Sequence, residues 1–69
     1  MISYNDAKII FQLKRSNMNF WKTSTITKWC QDNIDNNKWG FIYTYSSVWF
    51  LFLDEEDAML FKLIYSDFL

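Results

Sequence analysis

The chain has 69 residues, a formal net charge of −1, no histidine, and Phe, Trp or Tyr at 22% of its positions. That length supports one small core, read as a single domain over residues 1–69. The lone cysteine, Cys30, excludes an internal disulfide, and without imidazoles the usual zinc sets cannot be assembled.

Gly40 is the only glycine and there is no proline, so flexible linkers are not expected. The opening MISYNDAKII lacks the basic and long apolar regions of a signal peptide. The longest apolar run, Val48 to Leu53, is far too short to span a bilayer. The expectation is a cytoplasmic chain with no membrane segment. Charge is unevenly placed. Residues 1–38 carry six bases against three acids, and residues 39–69 carry Lys62 against five acids.

In residues 7–15, Ile9, Phe11 and Leu13 alternate with Lys8, Gln12 and Lys14, which favours a strand. Ile10 breaks the alternation, and a helix capped at Asn5 or Asp6 is the rival reading. Residues 16–22 read as a connection, with Phe20 and Trp21 tucked against the core. Thr23 to Ile34 reads as a helix. Thr23, Ser24 or Thr25 offers an N-cap oxygen, and Ile26, Cys30 and Ile34 share one stripe with Trp29 beside it. Asp35, Asn36 and Asn37 then stop it.

Trp39 to Leu53 reads as two strands joined at Ser46 and Ser47. Pairing outward from those serines sets Tyr45 against Val48, Tyr43 against Phe50 and Phe41 against Phe52. Alternation puts Trp39, Phe41, Tyr43, Tyr45, Val48, Phe50 and Phe52 on one face, and Ile42, Thr44, Trp49, Leu51 and Leu53 on the other. Both faces are apolar, whereas a hairpin covering one small core should be polar outside. Asp54 is the expected N-cap of a last helix, with Asp57 as the acidic member of a capping box. Glu55, Glu56 and Asp57 suit its positive N-terminal dipole. Ala58, Phe61, Ile64 or Tyr65, and Phe68 form its apolar stripe, widened by Met59, Leu60 and Leu63.

The fold class expected is α+β: a small β-α-β-β-α unit with a three-stranded sheet and two helices on one face. A right-handed crossover makes the first two strands parallel, and the third inserts between them. That is a ferredoxin-like unit without its final strand. It leaves one sheet face open and the first strand as an edge.

Phe50-Leu51-Phe52, followed by Asp54-Glu55-Glu56-Asp57-Ala58-Met59-Leu60-Phe61-Lys62-Leu63, resembles the C-terminal ends of small uncharacterised tailed-bacteriophage proteins. The shared pattern is an aromatic strand, an acidic cap, Asp-Ala, two further residues and Phe. The helical Trp29-Cys30 pair is similar to the same group. The resemblance implies a viral origin, and hence the host cytoplasm, with no defined activity.

Four adjacent acids on one helical turn point in different directions, so Asp54 to Asp57 read as capping and a solvated face rather than a metal cluster. Cys30 has no histidine to activate it and reads as a buried hydrophobe. No Gly-rich phosphate loop and no working carboxylate pair are present. The expectation is therefore a non-enzymatic accessory protein without cofactor. It would act through protein–protein contact, as a homodimer or on a host protein. The expected contact set is Ile42, Trp49 and Leu51 on the open sheet face, with Glu55 and Glu56 at its rim. The alternative is a single-stranded nucleic-acid binder that stacks bases on the aromatic face. A sequence pI near 5.0 and few strand bases weigh against it.

Overall fold

The structure, a computed structural model, describes residues 1–17 and 20–68. Its elements are β1 (Ile9–Lys14), α1 (Phe20–Asn33), β2 (Trp39–Tyr43), β3 (Ser47–Phe52) and α2 (Glu55–Tyr65). Single 3-10 turns lie at Tyr4–Asp6, Arg15–Asn17 and Ser66–Phe68. The sheet order is β1-β3-β2, with both pairs antiparallel, so β1 and β2 run parallel on either side of β3. This is the small α+β unit expected from the sequence, and β1 is a strand rather than a helix.

The hairpin register differs from the serine-centred one. Trp39 faces Phe52, Phe41 faces Phe50 and Tyr43 faces Val48. The loop is Tyr45-Ser46, one position earlier. The cause is Thr44, whose N–H donates to the Ser47 carbonyl at 2.8 Å. Its Oγ1 accepts the Ser47 N–H and donates to the Ser47 carbonyl, both at 3.0 Å. Arg15 clamps the loop from β1: its N–H donates to the Ser46 carbonyl at 3.0 Å, and its guanidinium reaches the carbonyls of Thr44 and Tyr45. Each residue of β2 moves by two positions against β3, an even number, so every side chain keeps its face.

α1 starts at Phe20, not at Thr23. Thr23 is buried within the helix, and its carbonyl accepts the Thr27 Oγ1 proton at 3.0 Å. Thr23, Ser24 and Thr25 are therefore helical residues rather than caps, and the hydroxyl that bonds back one turn is that of Thr27. Met18 and Asn19 lie outside the described residues, as do the side chains of Phe20 and Trp21. Ile26, Cys30 and Ile34 are buried as one stripe, with Trp29 half-buried beside them. The helix then ends as expected: the Asp35 carboxylate accepts the Asn37 N–H, and the Asp35 carbonyl accepts the Lys38 N–H, both at 2.9 Å.

Both helices cover the same sheet face. α1's stripe joins Ala58 and Phe61 of α2, with Leu13, Trp39, Val48, Phe50 and Phe52 of the sheet, in one core. Phe61 is its hub, with ring centroids 4.9 Å from Phe52, 5.1 Å from Phe50 and 5.6 Å from Phe11. Trp39 is fully buried, and its Nε1 has no partner among the described residues. An orphaned donor costs about 1–3 kcal/mol. Burying an aromatic of ~200 Å² contributes about 5 kcal/mol, so burial wins.

The other sheet face is not open. The Ile2 N–H donates to the Trp39 carbonyl at 2.9 Å, on the outer edge of β2. The chain then crosses the outer face as a strap. A Cβ on Gly40 would sit 2.5 Å from the Ile2 carbonyl oxygen, and Tyr4 packs on Trp49 with centroids 5.7 Å apart. The 3-10 turn at Tyr4–Asp6 bends the strap toward β1, fixed by Ser3 Oγ donating to Asp6 Oδ2 at 3.0 Å. Beneath it the row Gly40, Leu51, Ile10 runs across the three strands. Leu51 is 0% exposed yet lies outside the main core, which is the mark of this second cover.

Candidate interaction surface

The strap changes the standing of the sheet residues named from sequence. Leu51 was expected at the surface and is fully buried. Ile42 and Trp49 face each other in register, and both are half-buried. Trp49 Nε1 donates to Ser47 Oγ at 2.7 Å, and Tyr4 lies against its ring. The outer face is therefore a second small core with a partly exposed end, not an unclothed apolar sheet. The cause is the segment before β1, whose Ile2 and Tyr4 supply the cover that the hairpin lacks.

Glu55 and Glu56 are exposed in the first turn of α2 and line a shallow depression of about 510 Å³ with Lys8, Leu53 and Asp54. They sit on the helical layer, across the sheet from Trp49, so the five named residues do not form one patch. Asp54 occupies the N-cap position without a side-chain cap bond. Its carboxylate is instead 3.2 Å from Lys38 Nζ. The hydrogen bond from Lys38, followed by the charge of Asp54, holds the ammonium above its usual value. Burial, then the charge of Asp54, raises Asp57 above the ordinary carboxylate range.

The continuous apolar surface lies elsewhere. Ala58, Phe61 and Tyr65 turn α2 toward the core, at helical spacing. Met59, Leu60, Leu63 and Ile64 fall on the opposite side and are 70%, 43%, 77% and 47% exposed. Their i, i+1, i+4, i+5 spacing puts all four on one side of the helix. Scattered exposed apolar residues are ordinary, whereas these four are contiguous on one short helix, the arrangement that interaction surfaces use. From the sequence, all four fall into one wide stripe expected to face the core. The signal for two faces is present in the sequence: apolar residues fill seven of α2's eleven positions, more than one side of a helix holds.

Among the described residues, no three of His, Cys, Asp or Glu converge as a metal site would need. Cys30 is buried, and burial pushes its thiol up to about 12. No helix of the described residues is long and apolar enough to cross a membrane. At the hairpin end, Lys14, Arg15 and the fully exposed Tyr45 border a depression of about 600 Å³. Arg15 already serves the loop carbonyls there, and Trp49 lies under Tyr4. A base-stacking platform on this face would have to displace both. No family model matches the chain, and no curated protein or solved structure matches it.

Proposed function

We propose that this chain is a non-enzymatic interaction module, of the kind small phage accessory proteins provide, that docks on another protein through the outward face of α2. The observation that carries the reading is the four-residue apolar face of Met59, Leu60, Leu63 and Ile64, directed away from a core that is complete without it. The side-chain inventory supports the absence of catalysis: no histidine, and a single thiol that is buried and protonated at neutral pH. A dimer through the outer sheet face has less support, because the strap occupies that place.

The test is the double variant Leu60→Ser, Leu63→Ser. Two exposed substitutions should each change stability by no more than about 0.5 kcal/mol. Association should be lost, whether read as self-association by light scattering or as host proteins retained on the immobilised chain. If the variant instead loses about 2–5 kcal/mol, as core truncations do, the face is structural and the proposal fails. It also fails if parent and variant retain the same proteins and scatter alike.

A further inference from the structure

We propose that the partner element seated on α2 is a basic amphipathic helix of another protein, not the same face of a second copy. This rests on the docking reading above and adds the chemistry of the occupant. The argument comes from the two ends of the apolar face. Glu56 lies about one turn before Met59 and Leu60, and Asp67, in the 3-10 turn that continues α2, lies about one turn after Leu63 and Ile64, so both acids fall on that side. Both are exposed, and neither has an ion-pair partner among the described residues. The face is thus apolar in the middle and acidic at each end.

Self-pairing cannot satisfy that pattern. A two-fold antiparallel pair centred on the patch sits between Phe61 and Lys62. It sets Met59 against Ile64 and Leu60 against Leu63, which is good apolar packing. The same axis sets Glu56 against Asp67 at both ends. A parallel pair sets Glu56 against Glu56 and Asp67 against Asp67. Either arrangement brings like charges together at the rim, which disfavours that partner. Lys62 does not relieve the clash, because it lies on the flank of α2 rather than on this side. An anionic membrane surface meets the same two acids and is repelled.

The complement is a helix with Leu- or Met-type residues in the middle and a Lys or Arg at each end. From Glu56 to Asp67 is 67 − 56 = 11 positions, or about three turns, so the two bases of an antiparallel partner should also stand eleven residues apart. Helix-in-groove recognition uses this kind of spaced anchor. The acids set partner choice and encounter rate, and the four apolar residues supply most of the holding power.

Two fluorescein-labelled helical peptides of equal length test the proposal. Both carry the same Leu stripe; one has Lys and the other Glu at the two stripe ends, eleven positions apart. Fluorescence anisotropy titrations use the full chain, its Glu56→Lys, Asp67→Lys variant and its Leu63→Ser variant. The parent should bind the Lys peptide about ten-fold or more tightly than the Glu peptide, with the gap closing as salt rises. The double lysine variant should reverse the preference. Leu63→Ser should weaken binding of both peptides while its circular dichroism stays that of the parent. Equal binding of the two peptides, or a preference unmoved by the lysine variant, overturns the basic partner and leaves the docking face standing. A parent dimer in light scattering that Leu63→Ser dissociates makes a second copy the occupant and also overturns it. If neither peptide binds and nothing changes with Leu63, the docking reading falls as well.

Discussion

Gly40→Ala tests the strap most directly. The added Cβ would lie 2.5 Å from the Ile2 carbonyl oxygen and 3.4 Å from its nitrogen, both backbone atoms that cannot swing aside. Gly40 does not have a positive φ, so alanine is not strained by its own backbone there. The cost is therefore all in moving the strap. Lifting it breaks the Ile2–Trp39 hydrogen bond, about 0.5–1.5 kcal/mol. It also re-exposes Leu51, whose full burial is worth about 1.5–3 kcal/mol. Against this, alanine in place of glycine recovers about 0.5–1 kcal/mol of backbone entropy. The net loss is about 1–4 kcal/mol, and each kcal/mol lowers Tm by roughly 4–8 °C in a domain this small. The assay is urea unfolding followed by far-UV circular dichroism on four chains: parent, Gly40→Ala, a chain lacking Met1–Ser3, and the combination. Deleting Met1–Ser3 removes the obstacle, so alanine should then be neutral or stabilising. The double-mutant cycle isolates that coupling. An unchanged alanine penalty in the shortened chain would show that the strap does not press on Gly40, and the account of the second core would be wrong.

Other expectations follow from the same contacts. Phe61→Ala removes the ring that Phe11, Phe50, Phe52 and Tyr65 surround, and should cost about 3–5 kcal/mol in urea unfolding. Asp54→Ala should cost at most about 1 kcal/mol, less than a lost N-cap, because Asp54 makes only a half-exposed pair with Lys38; added salt should erase the difference from the parent. Asp57 has its pKa raised, so the folded chain holds that proton more tightly than the unfolded chain does. Its ionisation weakens the fold above the raised value, and the penalty fades as pH falls through it into the usual carboxylate range. Asp57→Asn should therefore gain stability at neutral pH and lose that gain in acid, as read from urea midpoints.

The parts of this fold that rest on local alternation were legible in the sequence. Ile9, Phe11 and Leu13 marked β1, and Trp39 to Phe52 marked a hairpin whose faces survived a register error because the error was even. The turn position was not legible, since Thr44, Ser46 and Ser47 are all turn-capable. Which one closes the loop depends on the Thr44 side chain and on Arg15 arriving from 29 positions away. The start of α1 was missed for a similar reason: Thr23 has the chemistry of a cap, but its burial against the core keeps it inside the helix.

The larger miss concerns where the unsatisfied apolar surface lies. Read from sequence, two apolar sheet faces and one layer of helices point to a partner at Trp49 and Leu51. The arithmetic of layers was right, and the cover was overlooked because Met1 to Ala7 has no periodicity to read. Gly40 was its one visible trace. An isolated glycine in an apolar strand costs stability unless something must approach the backbone closely, and here that something is Ile2. Once the strap satisfies the sheet, the surplus passes to α2. An eleven-residue helix on a three-stranded sheet can bury only the side it turns inward. Ala58 and Phe61 fill that side, so Met59, Leu60, Leu63 and Ile64 have no place in this chain's own core. The apolar excess read from composition is therefore real, but it lies on a helix with an acid at each end. That placement is why the partner proposed above bears bases rather than being a second copy of this face.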